Sequence, residues 1–109
     1  MTKAEARWIR IITQEIGCIC CLKLGHGYTP ADAHHLLSGG RRRNGTAIIP
    51  LCPYHHRGVR RLVEDKLLGP SLAHGSKPFH ATFGTDEHLL ERTRELVAEY
   101  ESNTVGKVA

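Results

Sequence analysis

Two short motifs in the first half of the chain carry the residue types that bind a tetrahedral metal ion. Cys18 and Cys21 stand in C-x-x-C spacing, and Cys52 and His55 form a C-x-x-H pair after an insert of thirty residues. Each short turn can aim both of its ligands at one point, which predicts a structural zinc site. Cys20 leaves the choice of ligand open, although the wider spacing from Cys21 favours Cys18. The alternative is that these cysteines are ordinary small buried residues.

Two histidine doublets form a second group. His34 and His35 are adjacent on a predicted strand, so their side chains point to opposite faces, and His56 is about 100° around a predicted helix from His55. With His55 on the zinc, His56 can meet His34 at a second divalent ion while His35 stays free as a general base. Asp32, on the strand face of His34, is a candidate third ligand or outer acceptor. Structural histidines with satisfied hydrogen bonds are the alternative.

This second group suits the hydrolysis of a phosphodiester. His35 can take a proton from water near neutral pH, and a divalent ion stabilises the phosphate and the leaving oxygen. Mg²⁺ or Mn²⁺ is the expected working ion, although imidazoles also bind Zn²⁺ or Ni²⁺ tightly. Arg60 is expected one helical turn after His56, where it could grip a phosphate. Exposure to solvent without such a contact is the alternative for Arg60.

The charge distribution indicates a polyanionic partner. The formal net charge is +4, and no acidic residue lies between Asp32 and Glu64, whereas the segment from Asp86 to Glu101 contains six acidic residues, counting both ends. The basic region predicts a surface that contacts DNA phosphates, and a solvated basic loop is the alternative. Its arginines are Arg41, Arg42, Arg43, Arg57, Arg60 and Arg61.

Length and composition limit the class of protein. The 109 residues form one small domain, expected over 1–101, with a flexible tail over 102–109. No apolar run approaches the ~20 residues that cross a bilayer, and the first residues lack the pattern of a secretory signal. The chain is therefore expected in a reducing cytoplasm, where cysteines bind metals more often than they form disulfides.

Periodicity and turn residues predict an α+β fold. A first helix is expected over 3–16, two strands over 31–36 and 47–51 with a basic loop over 38–45, and a helix from Pro53 to about Lys66. A helical turn over 78–83 and a last helix from Thr85 or Asp86 follow. The expected architecture is a β-hairpin with flanking N- and C-terminal helices, held by zinc.

The order of these residues resembles the HNH (ββα-metal) endonuclease superfamily, and more narrowly the phage recombination-enhancement (Ref) nucleases that act with RecA. The resemblance covers nearly the whole chain. It rests on Cys18-x-x-Cys21, Ala33-His34-His35, Asn44, the run from Pro50 to His56, His74-Gly75, Phe79, Phe83-Gly84-Thr85 and the closing helix.

The resemblance implies metal-dependent cutting of DNA held on a RecA filament, in the cytoplasm of a bacterial host. It gives His35 as the general base, His34 and His56 as ligands of the catalytic ion, and Asn44 as the residue that orients the base. In the family this asparagine usually lies closer to the second metal-binding pair, Cys52-x-x-His55, at the position where this chain has Ala47. Two alternatives remain: a non-catalytic, zinc-stapled DNA-binding accessory protein, and a redox or metal-storage protein.

Overall fold

The computed structural model describes residues 1–61 and 64–108. In chain order the helices and strands are α1 (Lys3–Arg10), which continues as a π-helical segment (Ile11–Ile16), α2 (Ile19–Lys23), β1 (Asp32–His35), β2 (Leu37–Ser38), β3 (Arg41–Arg42), β4 (Ile48–Leu51), α3 (Pro53–Arg57), α4 (Asp65–Leu68), a 3₁₀ turn (Leu72–His74), α5 (Ser76–Phe83) and α6 (Asp86–Val108). The predicted α+β class, with a hairpin and helices on both sides of it in sequence, is confirmed.

The first helix begins and ends where the sequence predicts. The Thr2 hydroxyl accepts a hydrogen bond from the backbone N–H of Glu5 at 3.0 Å, which caps α1. The π-helical segment ends at Gly17, whose φ is 81°. A side chain there would place its Cβ 2.8 Å from the carbonyl oxygen of Thr29, so only glycine lets the chain turn this closely against the next segment.

The central hairpin pairs β1 with β4 in antiparallel register, with His34 opposite Ile49 and His35 opposite Ile48. Between them, β2 and β3 form a second short antiparallel pair that carries the basic loop outward from the sheet. Both strands of the main pair are slightly shorter than predicted, and the basic loop contains this additional pair.

The two faces of the hairpin pack against different parts of the chain. Ile49, opposite His34, packs with buried residues of α2, α5 and α6. Ile48, opposite His35, packs with the π-helical segment and with Val97 of α6. Because neighbouring residues of a strand point to opposite faces, this packing places His34 and His35 on different sides of the sheet.

Helix α3 is much shorter than the predicted helix from Pro53 to Lys66, which was wrong in its extent. It ends at Arg57 because Gly58 adopts a left-handed conformation with φ of 73°. The next described residues, 59–61 and 64, are not helical, and a separate helix, α4, follows. Leu62 and Val63, which supported the longer helix, lie outside the described residues.

The last two helices close the fold over the hairpin. Helix α5 ends at Gly84, as predicted, and buries Phe79 and Phe83. Helix α6 begins at Asp86 and continues to Val108, so the segment expected to be a tail is helical over 102–108. Its buried Leu89 and Leu90 contribute to the same core as the two phenylalanines.

Candidate metal centres and nuclease site

The structure brings together the four side chains predicted to bind zinc. One donor atom from each of Cys18, Cys21, Cys52 and His55 lies within 4.8 Å of all the others, and all four residues are buried. The Nδ1 atom of His55 is 3.5 Å, 3.6 Å and 3.2 Å from the Sγ atoms of Cys18, Cys21 and Cys52. A tetrahedral zinc ion places sulfur and nitrogen ligands ~3.5 Å apart and two sulfurs ~3.8 Å apart. The cluster therefore has the spacing and donor set that hold a structural metal ion.

Both halves of this cluster are built by the first turn of a helix. Cys18 is the N-cap of α2, and its Sγ accepts a hydrogen bond from the backbone N–H of Cys21 at 3.5 Å. Cys52 is the N-cap of α3 and accepts in the same way from the N–H of His55 at 3.4 Å. The C-x-x-C and C-x-x-H spacings are thus the spacing between an N-cap residue and the third residue of its helix.

Further contacts orient the ligands. The ring of His55 contacts the carbonyl oxygen of Leu68 through Nε2 at 2.6 Å, so a proton on Nε2 leaves Nδ1 free for a metal. Arg61 donates to the Sγ of Cys21 at 3.3 Å. Cys20 is buried outside the four-donor group, so the geometry selects Cys18 as the fourth ligand. None of the cysteines forms a disulfide.

The electrostatics of the cluster also favour a bound cation. Hydrogen bonds from Cys18 and Cys52 lower the pKa of Cys21. Burial raises the pKa of Cys18 well above its usual range. Three thiolates cannot share this buried space without compensation, and a divalent cation supplies it.

A second group forms where β1 meets α3. The rings of His34 and His56 have their centroids 5.1 Å apart. The Nδ1 of His56 lies 3.2 Å from the Oδ2 of Asp32, and Arg57 donates to the same oxygen at 3.0 Å. Burial opposes ionisation of Asp32, but these hydrogen bonds lower its pKa overall. Asp32 thus holds one nitrogen of His56 and leaves Nε2 directed elsewhere.

His34 has the more enclosed position of the strand doublet. Burial, together with the neighbouring His56 imidazole, lowers the pKa of His34, and the Asp86 carboxylate opposes this shift. Neither ring nitrogen of His34 has a hydrogen-bond partner among the described residues. The neutral ring therefore keeps a lone pair available for a cation.

His35 and Asn44 stand apart from this group. His35 faces the side of the sheet occupied by α1, and burial followed by the charge of Arg42 lowers its pKa. Asn44 is exposed in the basic loop, and no hydrogen bond joins it to His35 among the described contacts. Arg60 is exposed beyond the end of α3, so its expected place one helical turn after His56 was wrong.

The arginines differ in what they contact. Arg41 and Arg42 are exposed on β3, at the far end of the hairpin. Arg43 forms an ion pair with Glu87 and donates through its backbone N–H to the Leu36 carbonyl at 2.9 Å. Arg57 and Arg61 have the contacts described above. Arg41 and Arg42 are therefore the members of the predicted DNA-binding set that the hairpin presents outward most directly.

Sequence reasoning missed a cleft at the turn between α5 and α6. Its volume is about 320 Å³. One wall carries a close pair, in which the Nε2 of His80 lies 2.8 Å from the Oδ1 of Asp86. The sequence offered no signal for this pair, because Asp86 is accounted for as the start of a helix and His80 has no motif partner. The lining residues are Arg43, His80, Thr85, Asp86 and Glu87.

Within the described residues, no helix combines the length and apolar character required to cross a membrane.

Comparison with known proteins gives one family. The sequence model of a family described as "Recombination enhancement, RecA-dependent nuclease" matches residues 2–98. No curated protein and no solved structure matches the chain. The matched range includes both candidate centres, the hairpin and most of α6. The chain belongs to the recombination-enhancement, RecA-dependent nuclease family.

Proposed function

We propose that this protein is a metal-dependent endonuclease of the HNH type that hydrolyses phosphodiester bonds in DNA held by a RecA filament. It acts during phage or prophage recombination in the bacterial cytoplasm. Cys18, Cys21, Cys52 and His55 hold a structural Zn²⁺. His34 and His56 bind the catalytic divalent ion, Mg²⁺ or Mn²⁺.

The observation that carries this proposal is the meeting of one histidine from each doublet. The His34 and His56 rings are 5.1 Å apart, and His56 is oriented by Asp32. His55, next to His56, belongs to the zinc cluster, so the structural metal fixes the helix turn that carries the catalytic histidine. A zinc-binding role alone explains His55 and leaves the His34–His56 pair without a purpose.

In the proposed reaction His35 accepts the proton of the attacking water, which requires that water to lie at the edge of β1, between the two sheet faces that carry His34 and His35. The lowered pKa of His35 keeps its imidazole neutral, which is the form that accepts a proton. Asn44 is proposed to orient this ring in the complex with DNA, and Arg60 is proposed to hold a phosphate. The divalent ion at His34 and His56 supplies Lewis-acid stabilisation of the phosphate and the leaving oxygen.

The DNA backbone is proposed to lie along the basic hairpin. Arg41 and Arg42 are exposed there, and Arg43 and Arg57, each paired with a carboxylate of the chain, are proposed to add contacts. Arg61 completes this set next to the zinc cluster. Contacts of this kind go to phosphates, so little base preference is expected.

The test is cleavage of circular single- and double-stranded DNA with Mg²⁺ or Mn²⁺, in the presence and absence of a RecA filament. Wild-type protein is expected to cut DNA within the filament. His35→Ala is expected to reduce the cleavage rate by about 10²–10⁴-fold with metal content and circular dichroism unchanged. His88→Ala is the matched control, because His88 is an exposed histidine that contacts Lys23 and has no part in either candidate centre. Equal rates for His35→Ala and wild type would contradict the assignment of the base.

The second candidate is a non-catalytic DNA-binding accessory protein. Arg41 and Arg42 are exposed on a hairpin next to the candidate metal cluster, and this arrangement favours DNA binding without cleavage as much as it favours a nuclease. Tight DNA binding without cleavage, with either metal and with or without the filament, would support this candidate.

A further inference from the structure

A short two-stranded ribbon, formed by β2 and β3, projects from the main hairpin. Only two residues, Gly39 and Gly40, join its strands. Their φ values are 60° and 80°, and a tight type I′ turn requires this left-handed conformation at both positions. A Cβ at either glycine would have no neighbouring atom within 4 Å. The end of the ribbon therefore stands clear of the rest of the described fold.

The base of the ribbon is fixed to the core. Leu36, which joins β1 to β2, is buried, and its backbone N–H donates to the Ala47 carbonyl at 3.0 Å. The N–H of Arg43, at the end of β3, donates to the Leu36 carbonyl at 2.9 Å. The guanidinium of Arg43 forms an ion pair with Glu87 of α6. Both strands of the ribbon thus leave the core from held positions.

The ribbon carries one large apolar side chain in solvent. Leu37 is 52% exposed and lies directly opposite Arg42 in the register of the ribbon. Directly opposite residues of an antiparallel pair share one face, so the side chains of Leu37 and Arg42 are neighbours. An exposed leucine is common by itself. This leucine lies beside an arginine that is expected to contact a DNA phosphate.

Leu37 is also close to the proposed general base. It follows His35 by two residues, so the Cα atoms of the two residues are at most about 7 Å apart. Successive phosphates of one DNA strand are separated by about 3.4 Å along the helix axis. A base step that contacts Leu37 therefore lies within a few steps of a phosphate that is attacked at His35.

We propose that Leu37 is an apolar wedge that enters a groove of duplex DNA and partly unstacks a base step beside the phosphate to be cut. Arg41 and Arg42 supply the charge complementarity, because they hold phosphates on either side of the leucine. Wedges of this kind bend the duplex, which brings more of its backbone against the protein. The contact needs no hydrogen bond to a particular base. This inference rests on the proposed function for the placement of DNA on the ribbon.

The test compares two leucines of equal exposure. Leu37→Ala and Leu67→Ala each truncate a leucine that is 52% exposed, but Leu67 lies on α4 and not on the ribbon. Each protein is mixed with a short duplex that contains 2-aminopurine, whose fluorescence rises on unstacking, without an added divalent ion. Wild type and Leu67→Ala are expected to raise the fluorescence. Leu37→Ala is expected to lose most of the rise and to keep the salt dependence of binding, because both arginines remain.

A mismatched duplex shows whether unstacking is the step that depends on Leu37. A mismatch lowers the cost of unstacking in advance, so wild-type protein is expected to bind a mismatched duplex about tenfold more tightly than a matched one. Leu37→Ala should bind the two duplexes equally, which a general loss of structure would not produce. Circular dichroism and bound zinc show whether each variant is folded.

Several results would overturn the inference. They are the absence of a fluorescence rise with wild-type protein, an unchanged rise in Leu37→Ala, and a retained preference of Leu37→Ala for the mismatch. A defect of Leu37→Ala that occurs only when the RecA filament is present would also overturn it, because the leucine would then contact protein and not DNA.

These outcomes are separable from those that test the nuclease itself. If wild-type protein cuts DNA and Leu37→Ala unstacks the duplex as well as Leu67→Ala does, the proposed function stands and the wedge is rejected. If wild-type protein unstacks the duplex through Leu37 and never cuts DNA, the wedge stands and the nuclease is rejected.

Discussion

His34 and His35 show how one strand places two neighbouring histidines in different environments. They are consecutive residues, yet His34 faces His56 while His35 faces α1. Burial lowers the pKa of both rings, so both are neutral at physiological pH. A neutral ring can bind a cation or accept a proton, and the neighbouring groups decide which of these it does.

The pH dependence of cleavage should report the environment of His35. Its pKa lies below the usual value near 6.5, so the rate should remain high at slightly acidic pH and fall as the pH drops through the lowered pKa. Arg42 contributes to this shift, so Arg42→Gln should move the acidic limb of the profile to higher pH. Rates measured at saturating DNA, with Arg41→Gln as control, check this shift. An unmoved limb in Arg42→Gln would contradict it.

At the scale of elements, two short helices carry the four residues of the candidate metal cluster. Helices α2 and α3 each have five residues and begin at a cysteine N-cap. Helices this short are not stable alone, so a metal ion bound by the cluster, together with the packing around it, is expected to hold them. The same turn of α3 presents His55 inward and His56 toward β1.

Loss of one cluster ligand should therefore destabilise the fold. Cys52→Ser is expected to release the structural zinc and lower the melting temperature, because metal binding is part of the folding free energy. Cys20→Ala should retain one zinc per chain, since Cys20 is equally buried but lies outside the cluster. Metal analysis and thermal melting of both variants check this expectation. Wild-type melting of Cys52→Ser would show that the metal does not hold the fold.

The end of α3 depends on Gly58. Its φ is 73°, and a Cβ there would lie 3.3 Å from the Cβ of Ala73. Gly58→Ala is expected to cost about 1–3 kcal/mol in the free energy of unfolding. Gly45→Ala is the matched control, because Gly45 has φ of 71° with nothing within 4 Å. Denaturant unfolding should show the larger loss for Gly58→Ala, and equal losses would mean that the contact with Ala73 is unimportant.

At the scale of the whole molecule, charge is divided between two regions. The hairpin presents Arg41 and Arg42 to solvent, whereas α6 carries most of the acidic residues. Arg43 joins the two regions through its ion pair with Glu87. The charge of Arg43 is thus paired within the fold, whereas Arg41 and Arg42 remain exposed to a binding partner.

Replacement of Arg41 and Arg42 together by alanine should weaken DNA binding and its dependence on salt. If each contacts one phosphate of duplex DNA, the slope of log K against log salt should decrease by about two. Arg92 and Arg94, which face acidic neighbours within α6, give a control double variant of equal charge. Binding titrations at several salt concentrations measure both. An unchanged slope would exclude the hairpin end as the DNA surface.

Local patterns in the sequence were sufficient for the fold class, for the grouping of Cys18, Cys21, Cys52 and His55, and for most helix starts. Those features depend on short-range spacing: a cap three residues from its partner, a C-x-x-C turn, a glycine at a helix end. The same reasoning overextended the helix after Pro53, because apolar spacing continued past Gly58 while its backbone turned away.

Only the tertiary structure decided which groups meet. The approach of His34 to His56, the engagement of Asp32 by Arg57 and the His80–Asp86 cleft join residues of separate elements. No spacing along the chain encodes such distances, because the packing of helices on the two faces of the hairpin determines them. The sequence by itself therefore determined which residues carry metal-binding and proton-accepting side chains, and the packed fold determined which of them lie together.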